Sequence, residues 1–243
     1  MLPSYIPQLT QESQLELKKT LLNPQPIHIY QPLINNLNEI VAFEFKRPKQ
    51  LRQLYSFGYS RNEYLYELRS VLDAINLIRK HPDNKYKLII LVSPDTIEKD
   101  DFIEHTKSIH NKSIVNRIIL CLKDAEEKYP KQHVYINNRL KVLSGLGFQI
   151  MKNSTNKSMP FSIFNENTNY LRVSVADYYD DDFNSTSRAI STICTDLDIK
   201  VVFSDIQSIS TFKSISKNEH SYLQGDFIGK SQKSLINSNY DII

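Results

Sequence analysis

Ile27-His28-Ile29-Tyr30-Gln31-Pro32-Leu33-Ile34-Asn35-Asn36-Leu37-Asn38-Glu39-Ile40-Val41-Ala42-Phe43-Glu44-Phe45-Lys46 is the stretch that decides the fold. Its two ends are rich in β-branched and aromatic residues, which predicts strands over 27–34 and 39–46. Asn35, Asn36 and Asn38 lie between them and supply turn chemistry, so the two strands are expected to pair antiparallel. Upstream, Thr10 followed by Leu15, Leu17, Leu21 and Leu22 predicts a capped helix that Pro24 and Pro26 end.

Downstream the pattern changes to alternation. Ser60 and Glu63 form a capping box, and Leu65, Leu68, Leu72 and Ile75 follow at helical spacing, predicting a helix over 61–80. Tyr86 to Val92 is an apolar strand. Ser93-Pro94 caps a helix expected over 95–109. Strands are then expected at 118–122, 148–152, 170–175, 199–203 and 222–228, with helices at 130–146, 184–197 and 208–219. The Asn/Ser/Lys-rich stretch 153–158 is expected to be a loop. Short buried strands alternating with helices predict a parallel sheet. This many βα units, in a chain of 243 residues, favour a closed barrel over an open sheet.

Composition removes several function classes. Net charge is +3 from 30 basic and 27 acidic residues, too balanced for a nucleic-acid face. The nearest basic cluster, Lys46, Arg47, Lys49 and Arg52, reads as a solvated loop. Cys121 and Cys194 form no CxxC and suit buried roles in a reducing compartment. Neither a GxGxxG loop nor a Walker A motif occurs among the five glycines, and the histidines have no zinc spacing. No apolar run reaches the roughly 18 residues of a membrane span, and the first ten residues lack signal-peptide character. A cytoplasmic chain with no metal and no cofactor is expected.

Several segments, in order, resemble landmarks of the bacterial EAL domain, the cyclic-di-GMP phosphodiesterase family. Tyr30-Gln31-Pro32-Leu33 resembles YQPI. Glu39-Ile40-Val41-Ala42-Phe43-Glu44-Phe45 resembles EIVGFEAL. Leu91-Val92-Ser93-Pro94 resembles NLSP. Leu146-Gly147-Phe148 resembles the LGV before the DDFG loop. Ile199-Lys200-Val201-Val202-Phe203 resembles IKVVAEGVE, and Tyr222-Leu223-Gln224-Gly225-Asp226-Phe227-Ile228-Gly229-Lys230 resembles YVQGYYFGKP. The likeness implies a single EAL-like domain over residues 1–243, with its core at about 10–232, folded as an α/β modified TIM-type βα barrel with an antiparallel first strand, in agreement with the hairpin read at 27–46.

The resemblance implies hydrolysis of one phosphodiester by water held between two divalent metals, on carboxylates at the C-terminal ends of barrel strands. Position by position, most of that set is replaced. Glu44 keeps the signature glutamate, and Gln31 and Gln224 keep the glutamines. Leu91 stands for the asparagine ligand, Cys121 for a glutamate, and Asn153 and Ser154 for the paired aspartates. Arg172 stands for the lysine that orients the attacking water, and Ser204 and Gln207 stand for two glutamates. Pro48 aligns with the arginine after the signature, and a one-residue shift brings Arg47 to that task. Small shifts elsewhere would bring Asp124 or Asp205 near the site. One carboxylate cannot hold two metals, so the resemblance implies a degenerate phosphodiesterase with no catalytic residues. Any vestigial ligand contacts would come from Gln31, Glu44, Arg47 and Gln224.

Two functions follow from the resemblance. The first is a non-catalytic regulator acting through a protein partner, such as a flagellar or other transcription regulator, with motility as the output. The second is an inactive cyclic-di-GMP receptor. Homodimerisation through a barrel face is a further possibility the family admits. Each singled-out residue also has a plainer reading. Glu44 can pack at a strand end or pair with a cation. Gln224-Gly225 can persist because glycine permits close backbone approach. Asp177, Asp180, Asp181 and Asp182 suit a helix N-terminus. Cys121 is a nucleophile or, with no base identifiable, a buried thiol. Tyr55, Tyr59, Tyr64 and Tyr66 are core or a protein-binding surface.

Overall fold

The computed structural model describes residues 28–48, 60–108, 111–123, 133–154, 167–177, 183–217 and 221–233. The predicted helix near residues 10–23, Tyr55, Tyr59, Lys49, Arg52, Asp124, Asp180, Asp181 and Asp182 lie outside them, as does the Asp177 side chain.

The opening hairpin forms as expected. Strand β1 (Ile29–Ile34) pairs antiparallel with β2 (Ile40–Lys46), placing Gln31 opposite Glu44. The Asn35 side chain closes the turn: its Oδ1 accepts from the Leu37 and Glu39 amides, both at 2.9 Å. Asn38 supplies a left-handed residue at φ 61°. Helix α1 (Ser60–Lys80) follows. Then come β3 (Lys87–Val92), α2 (Pro94–Ile97), α3 (Asp100–Lys107), α4 (Lys112–Val115), β4 (Ile118–Leu122) and α5 (His133–Leu146). The chain continues with β5 (Gln149–Ser154), β6 (Tyr170–Ser174), α6 (Phe183–Asp196), β7 (Lys200–Ser204), α7 (Ile209–Ile215) and β8 (Ser221–Gln224). The strands close in sequence order into a barrel; β1 is antiparallel to both β2 and β8, and the other neighbours are parallel.

Three local expectations are corrected. The helix expected over 95–109 is two helices. Ser93 caps α2 through its side chain, and Lys99 is extended at φ −72°, ψ 127° before Asp100 and Asp101 open α3. The helix read over 61–80 forms as α1, with a buried stripe of Tyr64, Leu68, Val71, Ile75 and Ile78 at 4–3–4–3 spacing, whereas Leu65 is half exposed. Asn153 and Ser154 are the last two residues of β5, paired with Arg172 and Val173, and not loop. Polar composition hid a strand whose inward side chains face a polar end of the barrel. Strand β8 stops at Gln224, because Gly225 passes hard against the Ile206 backbone. A Cβ at Gly225 would lie 2.1 Å from the Ile206 carbonyl oxygen and 2.4 Å from its nitrogen. Gly225→Ala is therefore expected to cost about 2–3 kcal/mol through forced backbone movement, read as a lower urea midpoint at unchanged slope.

Two-residue alternation sorts each strand's side chains to the barrel's inside or to its helices. Outward Phe43, Leu88, Ile90, Ile118, Leu120 and Ile150 pack under α1 and α5, while outward Leu171, Val173, Val201, Phe203 and Leu223 pack under α6 and α7. Inside, Leu33, Ala42, Ile89, Ile119, Met151 and Val202 form the apolar middle of the barrel. The next inward positions toward the C-terminal ends of the parallel strands are Glu44, Leu91, Cys121, Asn153, Arg172, Ser204 and Gln224. That end carries the residues singled out from the sequence.

Candidate functional site

Strand β2 delivers Glu44, which is 2 % exposed, to the barrel interior. Two neighbours claim one of its oxygens. Arg172 on β6 donates from Nη2 to Glu44 Oε2 at 3.0 Å, and Gln224 on β8 donates from Nε2 to the same oxygen at 2.7 Å. Burial, the largest influence, pulls the Arg172 guanidinium down, but Glu44, Cys121 and Asp205 together outweigh it and hold Arg172 above its ordinary value. Gln224 Oε1 is buried and meets no donor among the described residues.

The remaining singled-out residues line the same end with different chemistry. Cys121 Sγ donates to Asn153 Oδ1 at 3.2 Å. Complete burial pushes its thiol up to about 11, and Glu44 pushes the same way, so it is a thiol at neutral pH and the buried-thiol reading fits. Ser204 and Ser174 both donate to Asp205 Oδ2, at 3.1 and 2.7 Å. Asp205 is exposed with φ 63°. Gln207 is exposed and outside this cluster. Gln31 turns away from Glu44 despite lying opposite it: its Nε2 donates to Asp226 Oδ1 at 2.9 Å and to the Gly229 carbonyl at 3.3 Å. The four expected ligand contacts are thus divided. Glu44 and Gln224 touch, Gln31 ties β1 to the segment after β8, and Arg47 stacks its guanidinium 4.0 Å from the Tyr66 ring centroid.

Arg47, Tyr66, Glu44, Leu91 and Lys123 line a cavity of about 200 Å³ beside the barrel mouth. Behind it lies a network that sequence reasoning missed. Lys123, the residue after β4, bridges Glu67 at 2.6 Å and Glu63 at 2.8 Å on α1. Glu67, fully buried, also accepts from the Ser93 amide at 2.9 Å and the Ser93 hydroxyl at 3.0 Å. The available signal was the i, i+4 pair Glu63/Glu67, whose partner is 56 residues away in the case of Glu67. A second missed group is buried His28, which contacts Tyr66 Oη at 3.1 Å and Asp73 at 3.3 Å. Burial lowers its pKa, against the pull of Asp73. Among the described residues no three His, Cys, Asp or Glu side chains converge as a metal site would need, and no helix is long and apolar enough to cross a membrane.

No protein-family model matches the sequence, and a search of curated proteins gave no match. Solved structures do match. An EAL-domain protein of Listeria monocytogenes superposes with TM-score 0.71 at 13 % identity, over 93 % of this chain and 96 % of that one. The EAL domain of Xanthomonas citri FimX, solved with cyclic-di-GMP, gives 0.73 at 14 %, over 93 % and 95 %. A standalone versatile EAL protein of Vibrio cholerae, in its cyclic-di-GMP-bound form, gives 0.65 at 18 %, over 85 % and 92 %. At these identities the likeness shows the fold: the chain is an α/β barrel of the EAL type, with the antiparallel first strand expected from residues 27–46.

Proposed function

We propose that the chain is a non-catalytic EAL-type barrel that works by binding another protein, with phosphodiester hydrolysis lost. The observation that carries this reading is the Arg172–Glu44 contact: a guanidinium 3.0 Å away neutralises the buried carboxylate. Magnesium and manganese take several hard oxygen ligands. Around Glu44 stand Leu91, Cys121, Asn153, Ser204 and the amide of Gln224, with a fixed positive charge 3.0 Å away. These residues do not fit a two-metal centre. A guanidinium can balance Glu44, but it cannot coordinate a water and lower its pKa as a metal does.

The partner class comes from the resemblance to stand-alone EAL-like regulators: a transcription regulator, flagellar or other, bound in the cytoplasm without nucleotide. A second reading, a cyclic-di-GMP receptor, draws on Arg47 and Tyr66, which offer a cation and an aromatic face to the cavity beside Glu44. Of the groups this reading needs, Gln31 is already engaged by Asp226 and the Gly229 carbonyl, and Glu44 by Arg172 and Gln224, which favours the first reading.

Calorimetric titration with cyclic-di-GMP, with and without magnesium or manganese, tests both. No saturable heat and no linear dinucleotide product are expected from the folded chain. Saturable binding that disappears in Gln31→Ala or Arg47→Ala would make the protein a receptor, and metal-dependent product would make it an enzyme.

A further inference from the structure

The opposite end of the barrel holds a second polar ring. The first inward positions of β3, β5, β6, β7 and β8 are Lys87, Gln149, Tyr170, Lys200 and Tyr222. They stand at the N-terminal ends of the parallel strands, beyond the apolar middle of the barrel. Tyr170 and Lys200 are register partners. Lys87 Nζ donates to Gln149 Oε1 at 2.8 Å and to Tyr170 Oη at 2.9 Å. It lies 5.6 Å from the Tyr170 ring centroid, and Lys200 Nζ lies 5.7 Å from the same centroid. Two ammonium groups therefore share one phenol, and neither has a carboxylate within ion-pair distance among the described residues.

This arrangement is electrostatically incomplete. An ammonium has three donors, and the neutral acceptors Gln149 and Tyr170 take two of those on Lys87. Burial, with repulsion from Lys200 added, pulls the Lys87 pKa down to about 8. By contrast, Lys123 at the other end is equally desolvated in kind, yet two carboxylates meet it. Lys87, Tyr170 and Tyr222 face a cavity of about 850 Å³, whose walls also include Val41, Tyr86 and Ile119. That volume suits a small organic ligand, and the mixture of apolar wall, aromatic rings and a few convergent polar groups is the usual make-up of such a site. Glu39 and Asp83 also line it, but Glu39 is engaged by Asn35 Nδ2 at 2.9 Å, and neither pairs with a lysine here.

We propose that this cavity binds a small organic anion, a phosphate monoester or carboxylate on a flat apolar body. The anionic group meets Lys87, with Lys200 adding positive charge from beside the Tyr170 ring, and the body lies against Tyr222 and Tyr86. The anion supplies the missing counter-charge, and a charge-assisted hydrogen bond makes Lys87 its main determinant. The site is at the far end of the barrel from Glu44, so its occupancy stands apart from any binding of cyclic-di-GMP there.

The test uses the full chain, titrated with phenyl phosphate, benzoate, inorganic phosphate and uncharged benzyl alcohol, followed by two-dimensional amide NMR. Phenyl phosphate or benzoate is expected to saturate and to shift amides of residues 85–87, 169–171 and 221–222. Inorganic phosphate should bind more weakly, and benzyl alcohol should not saturate. Which of the two aryl anions binds tighter identifies the group preferred. Lys200→Ala removes an exposed side chain and should leave the fold intact, yet weaken binding about threefold by removing a screened charge. Lys87→Met should weaken it at least as much, whereas Lys230→Ala should leave it unchanged. The proposal is overturned if neither aryl anion saturates, if benzyl alcohol binds as well as they do, or if a folded Lys87→Met chain binds like the parent chain.

Discussion

Glu44→Ala is expected to destabilise the folded chain by about 3–5 kcal/mol, because it strands a buried guanidinium. Arg172 has 12 % of its side chain exposed and Glu44 only 3 %, so water cannot replace the lost carboxylate at little cost. Gln224 Nε2 loses its acceptor in the same change, which adds to the penalty. Arg172→Met should cost a similar amount by leaving the carboxylate buried and unpaired. The double change Glu44→Met with Arg172→Met should recover most of the loss, since two well-packed apolar side chains need no counter-charge. Urea unfolding of the parent, Glu44→Met, Arg172→Met and the double variant closes this cycle, and Glu44→Ala is measured beside them, all with and without magnesium. If Glu44→Ala costs less than about 0.5 kcal/mol, a surface-like value, or if magnesium stabilises the parent chain but not Glu44→Ala, Glu44 serves a metal and the proposed function falls.

Glu67→Ala should be comparably severe, about 3–5 kcal/mol, for a related reason. Its carboxylate joins three elements: it sits on α1, accepts from the amide and hydroxyl of Ser93 after β3, and binds Lys123 after β4. Truncation leaves the Ser93 amide without that acceptor and leaves Lys123 with Glu63 alone, whose side chain is 42 % exposed. Glu67→Gln keeps an acceptor for Ser93 and should lose roughly half as much. The pH dependence has a definite sign. Burial would lower the Lys123 pKa, but Glu67 and Glu63 outweigh it and raise it above the ordinary 10.5. A raised lysine pKa stabilises the fold fully below the unfolded value and ceases to do so as pH rises through the folded value. The excess stability of the parent over Glu67→Ala should thus be flat across neutral pH and shrink only above about pH 10.5. An excess that shrinks near pH 7 would show that Lys123 is not the partner.

The candidate site was legible in kind but not in wiring. Sequence order alone brought Glu44, Leu91, Cys121, Asn153, Arg172, Ser204 and Gln224 to one barrel end, because each occupies an inward position near the end of its strand. The contact between Arg172 and Glu44 spans 128 residues, and no local pattern announces such a pair. Gln31 shows the reverse: cross-strand pairing put it opposite Glu44, yet its amide goes to Asp226 and the Gly229 carbonyl, behind the chain reversal at Gly225.

The sequence by itself determined the hairpin at 27–46, the alternation that follows and the closure of the barrel, because these rest on side-chain period and turn chemistry, both local. Close backbone approach was one of two readings the sequence left open for Gln224-Gly225, and the structure supplies its reason in the Ile206 backbone that excludes a Cβ. Tertiary structure alone decided the break at Lys99, the extension of β5 through the polar pair Asn153-Ser154, and the partners of each buried charge. Those outcomes depend on which strands become neighbours and at what register. The same relation, set by the barrel and absent from any window of sequence, gives Lys123 two carboxylates and leaves Lys87 and Lys200 with none among the described residues.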